Sequence, residues 1–109
     1  MKNISVSQAK EMLDKNEAIL IDVREKEEFD AEHIHKAIFL PLSSFSQHVM
    51  NIDNKGKKLI FQCKLGGRSA KACEIYMSVF GDNNIYNLEG GIEAWKNSGL
   101  KIETNIKSN

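Results

Sequence analysis

The chain has 109 residues, 41% hydrophobic and 28% charged, a balance that suits one folded domain and excludes a disordered polyelectrolyte or a membrane-embedded chain. Fifteen Lys and Arg against fifteen Asp and Glu leave zero formal net charge, so whole-molecule electrostatics point to neither nucleic acid nor an anionic membrane as partner. No apolar run reaches the length of a signal-peptide core or a spanning helix, and a cytoplasmic location is expected.

Ser5 followed by Gln8 forms a capping-box signature, and Val6, Ala9, Met12 and Leu13 then recur at helical spacing up to Asn16. A first amphipathic helix is predicted there. Ala18 to Val23 is short, nearly continuous in apolar residues and rich in β-branched ones, which predicts a strand buried on both faces. Glu25 to Ala31 carries Phe29 as its only large apolar residue and reads as one surface turn of helix, with Ile34 pinning the next loop to the core.

Ala37 to Leu40 is a second strand, stopped by Pro41. Ser43 or Ser44 is expected to cap a helix with Phe45, Val49 and Ile52 as its apolar positions, closed by Asn54-Lys55-Gly56. Leu59-Ile60-Phe61 is the third strand and ends at Gln62-Cys63. Ser69 is the expected N-cap of a helix whose apolar positions, Ala70, Cys73, Met77 and Phe80 with Ala72, Ile75, Tyr76 and Val79 beside them, predict deep burial. Ile85 to Leu88 is a fourth strand and Gly91 to Ser98 a last helix ended by Gly99, with the domain expected over residues 1–104 and a frayed tail over 105–109. Strands alternating with helices define an α/β class, a mostly parallel central sheet with helices on both faces. Ligands of such sheets lie beyond the carboxyl ends of the strands, where Cys63 falls.

A cysteine at a strand end, followed by a Gly-bearing loop and a helix start, meets the requirements of a reactive thiolate. Gly66 and Gly67 allow successive N–H groups to turn inward as an anion nest, the helix start adds its positive end, and Lys64 and Arg68 add cationic potential. Cys63 is therefore the candidate nucleophile. Cys73 shares an apolar helix face with Ala70 and Met77 and reads as core rather than a resolving thiol. Without a Cys-x-x-Cys or His-x-x-x-His pair, neither metal nor cofactor is indicated.

Asp22 and Arg24 end a strand on the same sheet edge as Cys63 and are expected as a structural pair that fixes the loops neighbouring that site by hydrogen bonds and charge. His33 reads as a hydrogen-bonding structural residue, His35 and His48 as solvent-facing. Trp95 reads as core, and Gly90-Gly91 as the tight turn into the last helix.

Three ordered motifs together resemble the rhodanese family. Cys63-Lys64-Leu65-Gly66-Gly67-Arg68-Ser69 resembles its active-site loop, Asp22-Val23-Arg24 with Glu28-Phe29 and His33-Ile34 its first signature, and Leu88-Glu89-Gly90-Gly91 with Ala94-Trp95 its closing one. Glu32 and His35-Lys36 depart from the Gly and Pro-Gly usual there, and Leu65 is apolar where polar or small residues are frequent. The resemblance implies a single-domain sulfurtransferase, in which Cys63 takes sulfane sulfur from thiosulfate or a persulfide and passes it to a thiol, cyanide or a protein acceptor through a cysteine persulfide. The loop from Lys64 to Ser69 would hold the persulfide, with Lys64 and Arg68 recruiting an anionic donor. The rivals are a persulfide-relay module that docks a partner, and a cysteine phosphatase or arsenate reductase. The phosphatases of this fold carry five residues between Cys and Arg, whereas four separate Cys63 from Arg68.

Overall fold

Ser5 closes the first helix as its spacing predicts: its side chain accepts the Gln8 N–H at 3.1 Å and Gln8 accepts the Ser5 N–H at 2.9 Å. In the computed structural model, which describes residues 1–81 and 83–104, this helix, α1, spans Val6–Asp14. It is preceded by a strand that the sequence does not announce, β1 at Lys2–Ile4. The remaining elements are β2 at Ala18–Asp22, α2 at Lys26–Ala31, β3 at Glu32–His33, β4 at Ile38–Phe39, α3 at Leu42–His48 followed by a 3-10 turn at Val49–Asn51, β5 at Lys58–Gln62, α4 at Gly67–Phe80, β6 at Ile85–Leu88, α5 at Gly91–Asn97 and β7 at Glu103–Thr104.

Five strands form one parallel sheet in the order β1-β6-β5-β2-β4. The predicted α/β class holds. Side-chain alternation along the central strands divides the core in two. Ile21, Leu59 and Phe61 face a cluster with Phe45, Val49, Ala72, Cys73 and Tyr76 from the α3 and α4 side. Leu20 and Ile60 face the other, with Val6, Ala9, Ile34, Ile92 and Trp95. The two faces explain why β2 and β5 read as continuous apolar runs instead of alternating ones. A separate antiparallel pair, β3 with β7, ties Glu32 and His33 to the C-terminal segment.

Three local expectations change. The second predicted strand pairs only over Ile38–Phe39, because the Ala37 N–H is spent on the Ile34 carbonyl in a turn. Pro41, not Ser43 or Ser44, is the N-cap of α3; the Ser43 hydroxyl instead donates to Glu25 at 2.7 Å. The face of α4 that is buried is narrower than its composition suggests: Ser69, Ala72, Cys73 and Tyr76 are buried, while Val79 and Phe80 near its end are exposed. The predicted tail over 105–109 lies outside the described residues. Among the described residues no helix is long and apolar enough to cross a membrane.

Candidate active site

β5 delivers Cys63 to the carboxyl edge of the sheet with its side chain 1% exposed. The backbone then turns through Gly66, whose φ of 120° is open to glycine and closed to most residues, and α4 begins at Gly67. This turn points the Gly66 N–H at the Cys63 Sγ, 3.0 Å away. Gly67 has no left-handed φ, so of the two loop glycines only Gly66 is there for backbone freedom.

Ser69 is not the helix cap; Gly66 is. Ser69 is buried on the third residue of α4, and its hydroxyl lies 3.3 Å from Cys63 Sγ. Burial pushes the Cys63 thiol up, but the Ser69 hydroxyl and the N–H groups of Ser69, Gly66 and Leu65 outweigh it and hold the thiol below its ordinary value. A sulfur ringed by donors, at the end of a strand and the start of a 14-residue helix, is disposed to exist as a thiolate.

The loop is braced from behind by α5. The Ile92 N–H donates to the Cys63 carbonyl at 2.9 Å and the Glu93 N–H to the Lys64 carbonyl at 3.2 Å. Gly91 permits this approach, since a Cβ there would lie 2.4 Å from both carbonyl oxygens. Gly91 thus serves the loop's carbonyls, not the sulfur, while Gly90 is the left-handed N-cap of α5. Gln62, fully buried, adds a second donor to the Cys63 carbonyl at 3.0 Å. With carbonyls bonded outward, the loop's N–H groups are left to face inward.

Asn87, buried in β6, holds the same loop from the sheet side. Its Oδ1 accepts the Ser69 hydroxyl at 2.5 Å, and its Nδ2 donates to the Gly66 carbonyl and to Asn3 Oδ1, each at 3.2 Å. Sequence reasoning missed Asn87 and Gln62. The available signal was a polar side chain inside each of two apolar strands.

The charged residues sort into two pairs. Asp22 and Arg24 are buried and bonded to each other, Arg24 Nη2 to Asp22 Oδ2 at 2.9 Å, and Arg24 also donates to the Glu32 carbonyl at 2.7 Å. The register of β2 on β5 sets Asp22 beside Gln62, and neither Asp22 nor Arg24 has a hydrogen bond to Cys63. Arg68 is held by a residue that was read only as part of a motif: Glu28 of α2 accepts Nη1 at 2.7 Å and Nη2 at 2.9 Å. The Arg68 guanidinium holds the Glu28 carboxyl down at about 2 against the modest cost of its burial. Lys64 and Leu65 are exposed, Leu65 by 67%.

The remaining candidates are structural. His33 is bonded through Nδ1 to the Phe29 carbonyl at 2.9 Å and stacked on the Phe29 ring. His35 is exposed and paired with Glu103. Cys73 lies wholly in the core, and Trp95 is buried with its N–H on the Lys101 carbonyl at 3.0 Å. Among the described residues no cluster of His, Cys, Asp and Glu is arranged to hold a metal ion.

The model of the family described as "Rhodanese-like domain" matches residues 5–98. The protein slr1261 of Synechocystis is 42% identical over 82 residues, covering 75% of this chain and 45% of its own, so the chain spans less than half of that relative. The thiosulfate sulfurtransferase GlpE of Coxiella burnetii is 30% identical over 95 residues, 87% of each chain. The crystal structure of a rhodanese-related protein from Thermoplasma volcanium superposes with a TM-score of 0.83 at 29% identity, covering 94% of this chain and 98% of that one.

Proposed function

The chain belongs to the rhodanese-like domain family, and from that premise we propose that it is a sulfurtransferase in which Cys63 accepts sulfane sulfur and hands it on. The observation that carries this reading is the convergence of the Gly66 N–H and the Ser69 hydroxyl on Cys63 Sγ, at 3.0 and 3.3 Å.

The Cys63 thiolate attacks the outer sulfur of a donor such as thiosulfate or a persulfide. The donor's S–S bond breaks, its remaining part leaves with the bonding pair as sulfite or thiolate, and Cys63 carries a persulfide. An acceptor thiolate or cyanide then attacks the terminal sulfur and returns Cys63 to its thiolate. The same inward N–H groups that stabilise the thiolate face the charge on the persulfide, so the loop from Lys64 to Ser69 serves both half-reactions without reorganising. No general base is required, because the thiol is already held below its ordinary value. Asp22 and Arg24 act through the backbone they fix.

Loop length favours sulfur over phosphate: four residues between Cys63 and Arg68 make a tighter ring of donors than the five of the phosphatase loop. The test is intact-mass spectrometry after incubation with excess sulfane donor. The expected result is a gain of one sulfur atom on Cys63, removed by cyanide or a thiol. Turnover of an aryl phosphate with no persulfide ever formed would overturn the assignment.

A further inference from the structure

One of the bonds that Asn87 makes does more than brace the Cys63 loop. In β6 this buried amide stands in register with Asn3 of β1 on one side and with Phe61 of β5, two residues before Cys63, on the other. The Gly66 carbonyl, 3.2 Å from Nδ2, can only accept, so the amide nitrogen faces that carbonyl and Oδ1 faces the Ser69 hydroxyl at 2.5 Å. Ser69 is wholly buried, and a hydroxyl and an amide carbonyl shielded from water hold each other strongly.

The same hydroxyl faces Cys63 Sγ at 3.3 Å. It carries one hydrogen, so Asn87 Oδ1 and Sγ draw on it in competition; the Gly66 carbonyl, at 3.2 Å, already receives the Ala70 N–H. The Gly66 N–H, aimed at the sulfur at 3.0 Å, is fixed by the backbone, whereas the Ser69 hydrogen can turn. The charged groups around the loop are bonded elsewhere. Arg68 of α4, which Cys63 and Glu25 influence electrostatically, is bonded to Glu28 of α2, Arg24 is bonded to Asp22 after β2, and Glu93 of α5 is paired with Lys96. Lys64 is exposed. These charges stay as they are when the Ser69 hydrogen turns.

We infer that Asn87 is a positioning residue for sulfur transfer: by holding the Ser69 hydrogen while Cys63 Sγ is uncharged, it keeps Cys63 a stronger base and a stronger nucleophile than the loop's donors alone would leave it. The inference rests on the sulfurtransferase reading and adds to it a residue that does not touch the sulfur. When Sγ is a thiolate, the hydroxyl turns to it. As Cys63 takes the outer sulfur of thiosulfate, the donor's S–S bond breaks and sulfite leaves with the electron pair. The charge then sits on a sulfur about 2 Å farther out, and the Ser69 hydrogen returns to Asn87. As cyanide takes that sulfur to form thiocyanate, the electron pair of the broken S–S bond passes to Sγ and the hydroxyl turns back. The hydrogen stays on the Ser69 oxygen throughout.

The experiment reads the pH profile of iodoacetamide alkylation at Cys63, with loading by thiosulfate and unloading by cyanide followed by mass spectrometry. Asn87→Leu leaves Sγ a weaker rival for the Ser69 hydrogen, and the profile should move down by about one pH unit, the size of one hydrogen bond to a charged group. At a pH where the thiolate is complete in both proteins, loading should slow and unloading should quicken, each about threefold, because a less basic thiolate attacks more slowly and leaves more readily. In a Ser69→Ala background the same substitution should leave the profile where Ser69→Ala put it. Loss of Nδ2 as a mere brace would loosen the loop and raise the thiol. An Asn87→Leu profile that stays or moves up, or a downward shift that survives Ser69→Ala, therefore overturns the inference. Asn87→Asp keeps the acceptor and also loses Nδ2; it should move the profile up, and further with Ser69 present than in the Ser69→Ala background. Equal shifts in the two backgrounds overturn the inference as well, so this variant carries the test if Asn87→Leu does not fold. Alkylation needs no sulfur donor: a protein that never loads sulfur defeats the sulfurtransferase reading and leaves the profile to decide the role of Asn87.

Discussion

Asn87 Oδ1 lies 2.5 Å from the Ser69 hydroxyl oxygen, closer than Cys63 Sγ at 3.3 Å or the Gly66 carbonyl at 3.2 Å. A hydroxyl has one hydrogen to give, so three acceptors compete for it. Asn87 holds it while the sulfur is a neutral thiol, and a thiolate, the stronger acceptor, draws it away. Ser69 thereby answers the charge on sulfur by rotation of a single O–H bond.

Ser69→Ala removes this donor, and the thiol should rise toward its ordinary value because burial then meets less opposition. The pH profile of iodoacetamide alkylation at Cys63 should move upward, with alkylation at neutral pH slowed about tenfold, the worth of one hydrogen bond to a charged group. Ser69→Thr, which keeps the hydroxyl, should restore much of the rate. An unmoved profile would remove Ser69 from the stabilisation of sulfur.

Cys63→Ser should abolish persulfide formation, whereas Cys73→Ser should fold with a cost of about 1 to 2 kcal/mol for a hydroxyl in an apolar site and still load sulfur. Cys73 is 0% exposed among Ala72, Tyr76 and Ile85. Equal loss of loading in both folded variants would contradict this division.

Gly91→Ala drives a Cβ to 2.4 Å from the Cys63 and Lys64 carbonyl oxygens at a φ of 60°. Overpacking and the left-handed conformation together should cost about 3 kcal/mol, a fall in Tm of roughly 12 °C for a domain of this size. Gly67→Ala meets nothing within 4 Å and should change stability by less than about 1 kcal/mol. Thermal unfolding of the two variants side by side checks the contrast.

Glu28 titrates at about 2 in the fold against an ordinary 4.5. A carboxyl lowered on folding contributes stability that is full above 4.5 and is lost as the pH falls through 2. Because the pair is about one-third exposed, solvent screening limits that contribution to about 1 kcal/mol. Denaturant unfolding should show the protein more stable than Glu28→Gln by this amount at pH 7, the gap closing between pH 4.5 and 2. A gap that persists at pH 2 would show that the variant acts by some route other than the charge.

The sheet and the Cys63 loop were legible because each rests on local pattern. Leu20/Ile21 and Ile60/Phe61 had to be apolar in succession to serve two cores, and a Gly beside a strand-end cysteine marks a backbone that turns its N–H groups inward. What the pattern could not carry were elements too short to have a period and contacts between distant residues. β1 has one apolar residue in Lys2-Asn3-Ile4, and β3 and β7 have two residues each. Glu28 and Arg68 are 40 residues apart, and Asn87 and Ser69 are 18 apart. Ser69 was misplaced for an instructive reason: serine favours helix caps, but a left-handed Gly66 had already ended the loop, leaving the hydroxyl available to sulfur.

The hydrogen bond from Asn87 to Asn3 gives the first strand an influence on the reaction centre that its length would not suggest. β1 is an edge strand of three residues, the kind of element most readily displaced when a chain is fused, trimmed or bound at its beginning. Asn3 shares the Asn87 Nδ2 donor with the Gly66 carbonyl, and Asn87 Oδ1 accepts the Ser69 hydroxyl that also reaches Cys63 Sγ, so losing Asn3 would remove one of the two acceptors that orient the Asn87 amide. The far margin of the sheet is in this sense joined to the nucleophile through two amides and a hydroxyl.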